Sequence, residues 1–178
     1  MKLSLKDMIV CGIFAAVLAV LSQISIVLPF SPIPFTMQTF GLFLIGAILG
    51  CKRGFISVMV YILLGAIGIP VFASYSGGPA VLFGKTGGFI IAFPFMALII
   101  GYATEKYRKP AYVMIAMFLA LVLCYAMGTI QFSLILNMSL AKSMAFTVIP
   151  YVPLDLVKVV MAALISVQVR RRVALGAI

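Results

Sequence analysis

The chain has 178 residues, of which 65% are hydrophobic and 9% charged, with a formal net charge of +10. A soluble domain carries about 25% charged residues; a chain this apolar cannot cover itself in water, so an all-α integral membrane protein follows and a soluble domain is excluded. Histidine is absent, which removes the commonest general base and metal ligand, and the cations lie in short clusters between apolar runs with no basic face, which argues against a nucleic-acid partner.

The first apolar run predicts a helix over 8–28, ended by Pro29; Pro32 and Pro34 then keep the following loop extended. The run has a basic start, as a signal peptide has, but it continues without a convincing small-residue cleavage site and reads as a membrane helix. Two shorter segments follow over 38–50 and 54–68, each below the roughly 20 residues of a full span. The stretch 69–86 is too apolar for a solvated loop and too rich in Gly and Pro for a helix. It reads as a loop folded into the bundle from the outer side, between the third and fourth helices. Further helices are predicted over 87–102, over 110–136 with Pro110 in the first turn, and over 153–170, with a mildly polar loop at 137–151. The length suits a single membrane domain, 1–178. Cys11, Cys51 and Cys124 show no pairing pattern and read as small apolar residues.

Six helices put both chain ends on one side. With the ends inside, Lys2, Lys6, Lys52, Arg53, Lys106, Arg108, Lys109, Arg170, Arg171 and Arg172 are cytoplasmic, which is ten of the thirteen basic residues. Lys85 and Lys142 fall outside and Lys158 within the last helix. The positive-inside rule therefore sets the orientation of an inner-membrane protein with both ends, Met1 and Ile178, in the cytoplasm. Ala15 and Ala19 form a small-xxx-small pair in the first helix, either for packing inside this bundle or for docking another membrane protein.

The chain has three acidic residues. Asp7 precedes the first helix and reads as its cap. Glu105 lies among Lys106, Arg108 and Lys109 and reads as a solvated charge. Asp155 sits just inside the last helix, with Lys158 on the same face three residues later. A first-turn acid favoured by the helix dipole accounts for Asp155 but not for Lys158. An ion pair at this depth faces a bundle interior or a wet cavity. Other polar residues gather on the same side: Thr36, Gln38 and Thr39; Tyr75, Ser76, Lys85 and Thr86; Asn137 and Tyr151. Phe35, Phe72, Phe83 and Phe89 stand around them. A mainly apolar pocket with a few placed polar groups suits a small organic ligand.

Four stretches then carry a resemblance. Residues 32–39, PIPFTMQT, resemble the PVPFTxQT signature of the BioY family, the biotin-specific substrate-binding (S) components of energy-coupling-factor (ECF) transporters. Residues 61–73, YILLGAIGIPVFA, are similar to its YLLLGAxGLPVFA stretch, residues 84–89, GKTGGF, to its GPTGGY, and residues 153–158 to its PxDxxK. The departures are Lys85 in place of Pro and Phe89 in place of Tyr. The resemblance implies a six-helix S component in a prokaryotic inner membrane that binds biotin from outside. It implies, as partners, a transmembrane coupling protein and two cytoplasmic ATPases that use the ATP, with Ala15 and Ala19 as the docking face on the coupling protein. No cofactor and no metal is implied. The implied biotin site comprises Asp155, for a ureido N–H; Lys158, for the ureido carbonyl or a carboxylate oxygen; Gln38, for a further polar contact; Lys85, for the anionic tail; Phe72 and Phe89, for the rings; and Tyr151. Composition and topology alone also admit an S component or carrier for another small vitamin. An intramembrane enzyme is disfavoured by the missing histidine, GxSxG and paired acids.

Overall fold

The computed structural model describes residues 4–29, 31–107 and 109–172, without the side chains of 171 and 172. Met1, Lys2, Arg108, Ile178 and the side chains of Arg171 and Arg172, all used in the topology argument, lie outside the described residues.

Helix α1, Leu5–Gln23, opens with a capping box: Ser4 Oγ accepts from Asp7 N at 3.2 Å and Asp7 Oδ2 accepts from Ser4 N at 3.0 Å. Asp7 also pairs with Arg53 Nε at 2.7 Å. The helix stops short of the expected residue 28. The β-branched residues Ile24, Ile26 and Val27 ahead of Pro29 favour extended backbone. Ser25–Ile26 (β1) pairs antiparallel with Phe35–Thr36 (β2), Ser25 opposite Thr36 and Ile26 opposite Phe35.

Helix α2, Gln38–Ala66, is broken at Gly50, whose φ of 79° lies in the region that favours glycine. Beyond the break the chain doubles back. Gln38 Nε2 donates to Tyr61 Oη at 2.7 Å, whereas a straight helix would hold these residues about 35 Å apart. A methyl group on Gly54 would sit 3.5 Å from the Ile45 carbonyl oxygen. The two halves therefore lie side by side, where the segments 38–50 and 54–68 were expected. Cys51 N, at the start of the second half, donates to Glu105 Oε1 at 2.8 Å. Glu105 is thus not the purely solvated charge that its basic neighbours suggest; it meets the positive end of a helix.

After a short 3-10 turn, Ala73–Tyr75, come α3, Pro79–Leu82; α4, Gly87–Lys106; α5, Pro110–Leu136; α6, Leu140–Thr147; and α7, Val152–Arg172. Helix α4 runs past the expected residue 102. The loop expected at 137–151 contains α6, capped by Ser139, whose Oγ accepts from Lys142 N at 3.4 Å. Its Ser143 and Thr147 are buried while Leu140 and Met144 are exposed, so the side it buries is polar. Asn137, expected among the site's polar residues, instead ends α5 in the left-handed conformation.

Helices α2, α4 and α5 pack in sequence around Phe43, Ile45, Met96, Ile100, Met117 and Leu121, with α1 on α2 and α7 against α2 and α5. Among the described residues, five helices (α1, α2, α4, α5 and α7) are long and apolar enough to cross a membrane. The stretch 67–86 lies across one end of this bundle. Gln23 Nε2 donates to the carbonyls of Val71 (3.2 Å) and Phe72 (3.1 Å), and Gln131 Nε2 to those of Leu82 (2.8 Å) and Gly84 (2.9 Å). Of its residues only Phe72 is buried.

The family resemblance implied a docking face at Ala15 and Ala19, while the small-residue pattern alone also allowed packing inside the bundle. In the fold Ala15 is 2% exposed and belongs to the core that α1 shares with α2, and Ala19 packs against that core. Helix α1 is apolar on every side, so periodicity does not distinguish its inward face from its outward one. The exposed side carries Ile9, Gly12, Ile13, Ala16, Val17 and Val20.

Candidate ligand-binding site

At the end of the bundle crossed by the 67–86 stretch lies a cavity of about 500 Å³. The opposite end carries most of the described cations: Lys6 at the start of α1, Lys52 and Arg53 after the Gly50 break, Lys106 and Lys109 between α4 and α5, and Arg170 near the end of α7. Contacts across that end, Asp7–Arg53, Cys51–Glu105 and Arg170 Nη1 to the Thr104 carbonyl at 3.1 Å, hold it together.

The cavity is built from segments far apart in sequence. The β1–β2 ribbon brings residues 31–36 across the top of α7. Ser31 Oγ donates to the Phe146 carbonyl at 2.9 Å, and Tyr151 Oη donates to Ser31 Oγ at 2.8 Å. Phe35 stacks on Tyr151 with ring centroids 6.5 Å apart. Helix α2 then begins at the cavity wall with Gln38 and Thr39, α4 begins there after Lys85 and Thr86, and α7 supplies Asp155 and Lys158.

The Asp155 and Lys158 side chains are each 5% exposed and meet at 2.7 Å, Nζ to Oδ1. The pair is satisfied by neighbours on three elements. Lys158 Nζ also donates to the Thr36 carbonyl at 2.6 Å and to Thr39 Oγ1 at 3.0 Å, and lies 3.8 Å from the centroid of the Phe35 ring. Its three N–H donors are therefore all engaged and its remaining side faces a π cloud. Asp155 Oδ1 accepts from Thr39 Oγ1 at 3.0 Å, and Oδ2 accepts from Tyr125 Oη at 2.6 Å. Burying two charges is costly, and it persists where the remaining donors and acceptors find partners, as they do here. The carboxylate, with about four lone-pair positions, keeps acceptor capacity for a ligand.

Of the residues proposed from sequence, Gln38, Lys85, Phe89, Tyr151, Asp155 and Lys158 all line this cavity. Phe72 does not. It is buried against Tyr61, ring centroids 5.5 Å apart, and lies over Gly65, where even a methyl group would overlap it. Phe72 anchors the loop, and the aromatic lining comes from Phe35, Phe89, Phe93, Tyr125 and Tyr151. Sequence reading missed Ser31, Tyr125 and Thr147 as lining residues. Tyr125 had a signal: it is the phenol at the middle of α5, a run otherwise almost wholly apolar.

The BioY family's sequence model matches residues 1–175 of this chain. A Thermotoga maritima protein named biotin transporter BioY is 38% identical over 94% of this chain and 97% of its own length. A Bacillus subtilis protein named probable biotin transporter BioY is 33% identical over 98% of this chain and 95% of its own. Among solved structures, the S-component for biotin from an ECF-type ABC transporter matches with a TM-score of 0.88 at 26% identity, over 96% of this chain and 95% of that one.

Proposed function

The chain belongs to the BioY family, and on that premise we infer that it is the biotin-binding S component of an ECF-type vitamin transporter. It is a transport component and not an enzyme, since its relatives are named transporters and the matching structure is a transporter's S component. Within the chain, the observation that carries the reading is a buried Asp155–Lys158 pair at the wall of an otherwise largely apolar cavity. Biotin has a ureido ring with two N–H donors and one carbonyl, a fused apolar ring and an anionic tail. We assign the Asp155 carboxylate to a ureido N–H. Lys158 meets a ligand oxygen by giving up one of its three protein acceptors, and Gln38 and Tyr151 add polar contacts. Phe89 packs on the rings. Lys85, exposed at the start of α4, meets the anionic tail.

The cation-rich end supports a cytoplasmic location for that end and an outward-facing cavity, by the positive-inside rule. With the halves of α2 counted as two short crossings, the bundle has six and both chain ends lie inside. Reporter fusions at Met1 and Ile178 are expected to give cytoplasmic signals, and an external signal from either end would overturn this orientation. The sequence holds no GxxxxGK[ST] nucleotide loop. Import therefore draws on a separate energising module, which we take to be a transmembrane coupling protein and two cytoplasmic ATPases.

Ligand identity is tested with radiolabelled biotin on detergent-purified protein. Unlabelled biotin is expected to displace the label while riboflavin and thiamine leave it bound. Displacement by either of those vitamins, or no retention of biotin, would reject biotin as the specific ligand.

A further inference from the structure

Two uncharged residues of the cavity wall touch the Asp155 carboxylate, Thr39 at Oδ1 and Tyr125 at Oδ2. Tyr125, on α5, lines the ligand cavity and also a second, almost wholly apolar cavity of about 410 Å³ between α5, α6 and α7. Its ring thus forms part of the partition between the two. The hydroxyl donates to Asp155 Oδ2 at 2.6 Å, whereas Lys158 and Thr39 both hold Oδ1, at 2.7 and 3.0 Å.

The two carboxylate oxygens are therefore anchored from different sides. The terminal torsion of an aspartate is broad, so a carboxylate held through Oδ1 alone can swing about its Cβ–Cγ bond. The bond from α5 removes that freedom. A partition between two apolar spaces would be served as well by phenylalanine, and a phenol inside an apolar helix is costly unless it is hydrogen-bonded. The neighbouring polar group of the partition, Thr129, is already paired with Thr147, Oγ1 to Oγ1 at 2.7 Å.

We propose that Tyr125 is a positioning residue that fixes the plane of the Asp155 carboxylate, so that its remaining lone pairs face a ligand N–H in the cavity. The role rests on the reading of Asp155 as the ligand's acceptor.

The test is a double-mutant cycle on the purified full chain with biotin as ligand. Tyr125→Phe keeps the ring and removes only the hydroxyl. It is expected to weaken binding about tenfold or more, as loss of a hydrogen bond to a charged group does. In an Asp155→Asn background the same change is expected to cost less than about twofold, because interacting residues are not additive. An equal cost in both backgrounds, or no cost in the parent, overturns the proposal. Parent-like binding by Asp155→Asn would instead remove the underlying site reading, and the proposal with it.

A second readout is spectroscopic and needs no ligand. The chain has two aspartates, Asp7 and Asp155, so in protein carrying isotope-labelled aspartate the Asp155 carboxylate band is assigned by its loss in Asp155→Asn. That band is expected to shift in Tyr125→Phe. Should the variant not fold, 3-fluorotyrosine at position 125 keeps the shape, alters the donor strength and is expected to shift the band as well. An unmoved band overturns the proposal.

Discussion

Lys158→Met is expected to abolish high-affinity biotin binding and to destabilise the protein at the same time. The substitution leaves the Asp155 carboxyl without its cation in a site where its side chain is 5% exposed, with only the hydroxyls of Thr39 and Tyr125 to support it. Breaking a buried pair by removing one partner costs roughly 3–5 kcal/mol. It also frees the Thr36 carbonyl, which Lys158 holds at 2.6 Å, so the ribbon over the cavity loses one of its ties to this end of α7. Asp155→Asn is milder, since the amide keeps the shape and one acceptor. A loss of at least about tenfold in affinity is expected, corresponding to 1.4 kcal/mol or more. If Asp155 reads the ureido ring, this loss is about equal for biotin and for a biotin amide lacking the charged tail. The double change Asp155→Leu with Lys158→Met separates the two effects. Replacing a buried pair by apolar residues is often neutral or stabilising, so this variant is expected to recover thermal stability without recovering binding. Equilibrium binding alongside thermal unfolding in detergent makes both measurements. Folded single variants that bind biotin as the parent does would remove the pair from the site.

Gly101→Ala is expected to produce a large structural effect at the cation-rich end. There α4 crosses the Gly50 break of α2, and a Cβ on Gly101 would lie 2.3 Å from Cys51 N and 2.5 Å from Gly50 C. Both atoms are backbone, so no side chain can swing away. The helices must separate, and the Glu105–Cys51 bond of 2.8 Å, a few residues along α4, is strained with them. Overpacking of this kind costs about 1–3 kcal/mol, and more where backbone must move. At roughly 2–4 °C per kcal/mol for a chain of this length, the melting temperature should fall by several degrees. Gly12→Ala is the control. Beyond the backbone of its own helix, no atom lies within 4 Å of its added Cβ, and alanine favours a helix interior over glycine by about 1 kcal/mol. A parent-like melting temperature for Gly101→Ala would show that the two helices are not in the contact described.

The sequence by itself determined the solvent and the class of fold, and named candidate residues for the ligand site. A composition of 65% hydrophobic residues leaves only lipid as solvent, and long apolar runs in lipid must be helices. Asp155 and Lys158 were legible because charge inside an apolar helix is costly enough to need a reason, and most of the polar residues of the cavity lining were named from their places next to prolines and glycines. Facing was not legible. In helices that are apolar all round, periodicity carries no inward direction; Ala15 turned toward α2, and Phe72 turned to Tyr61 and away from the cavity, only when neighbouring helices took their places. Helix α6 was missed for a related reason, since its buried side is the polar one, with Ser143 and Thr147 inward and Leu140 and Met144 outward. Contacts between distant segments were also decided by tertiary structure alone: Thr36 and Thr39 on Lys158, Tyr125 on Asp155 and Glu105 on Cys51. Each is a hydrogen bond whose partners are separated by tens of residues, and the fold brings them together because buried polar groups in an apolar bundle have no water to turn to.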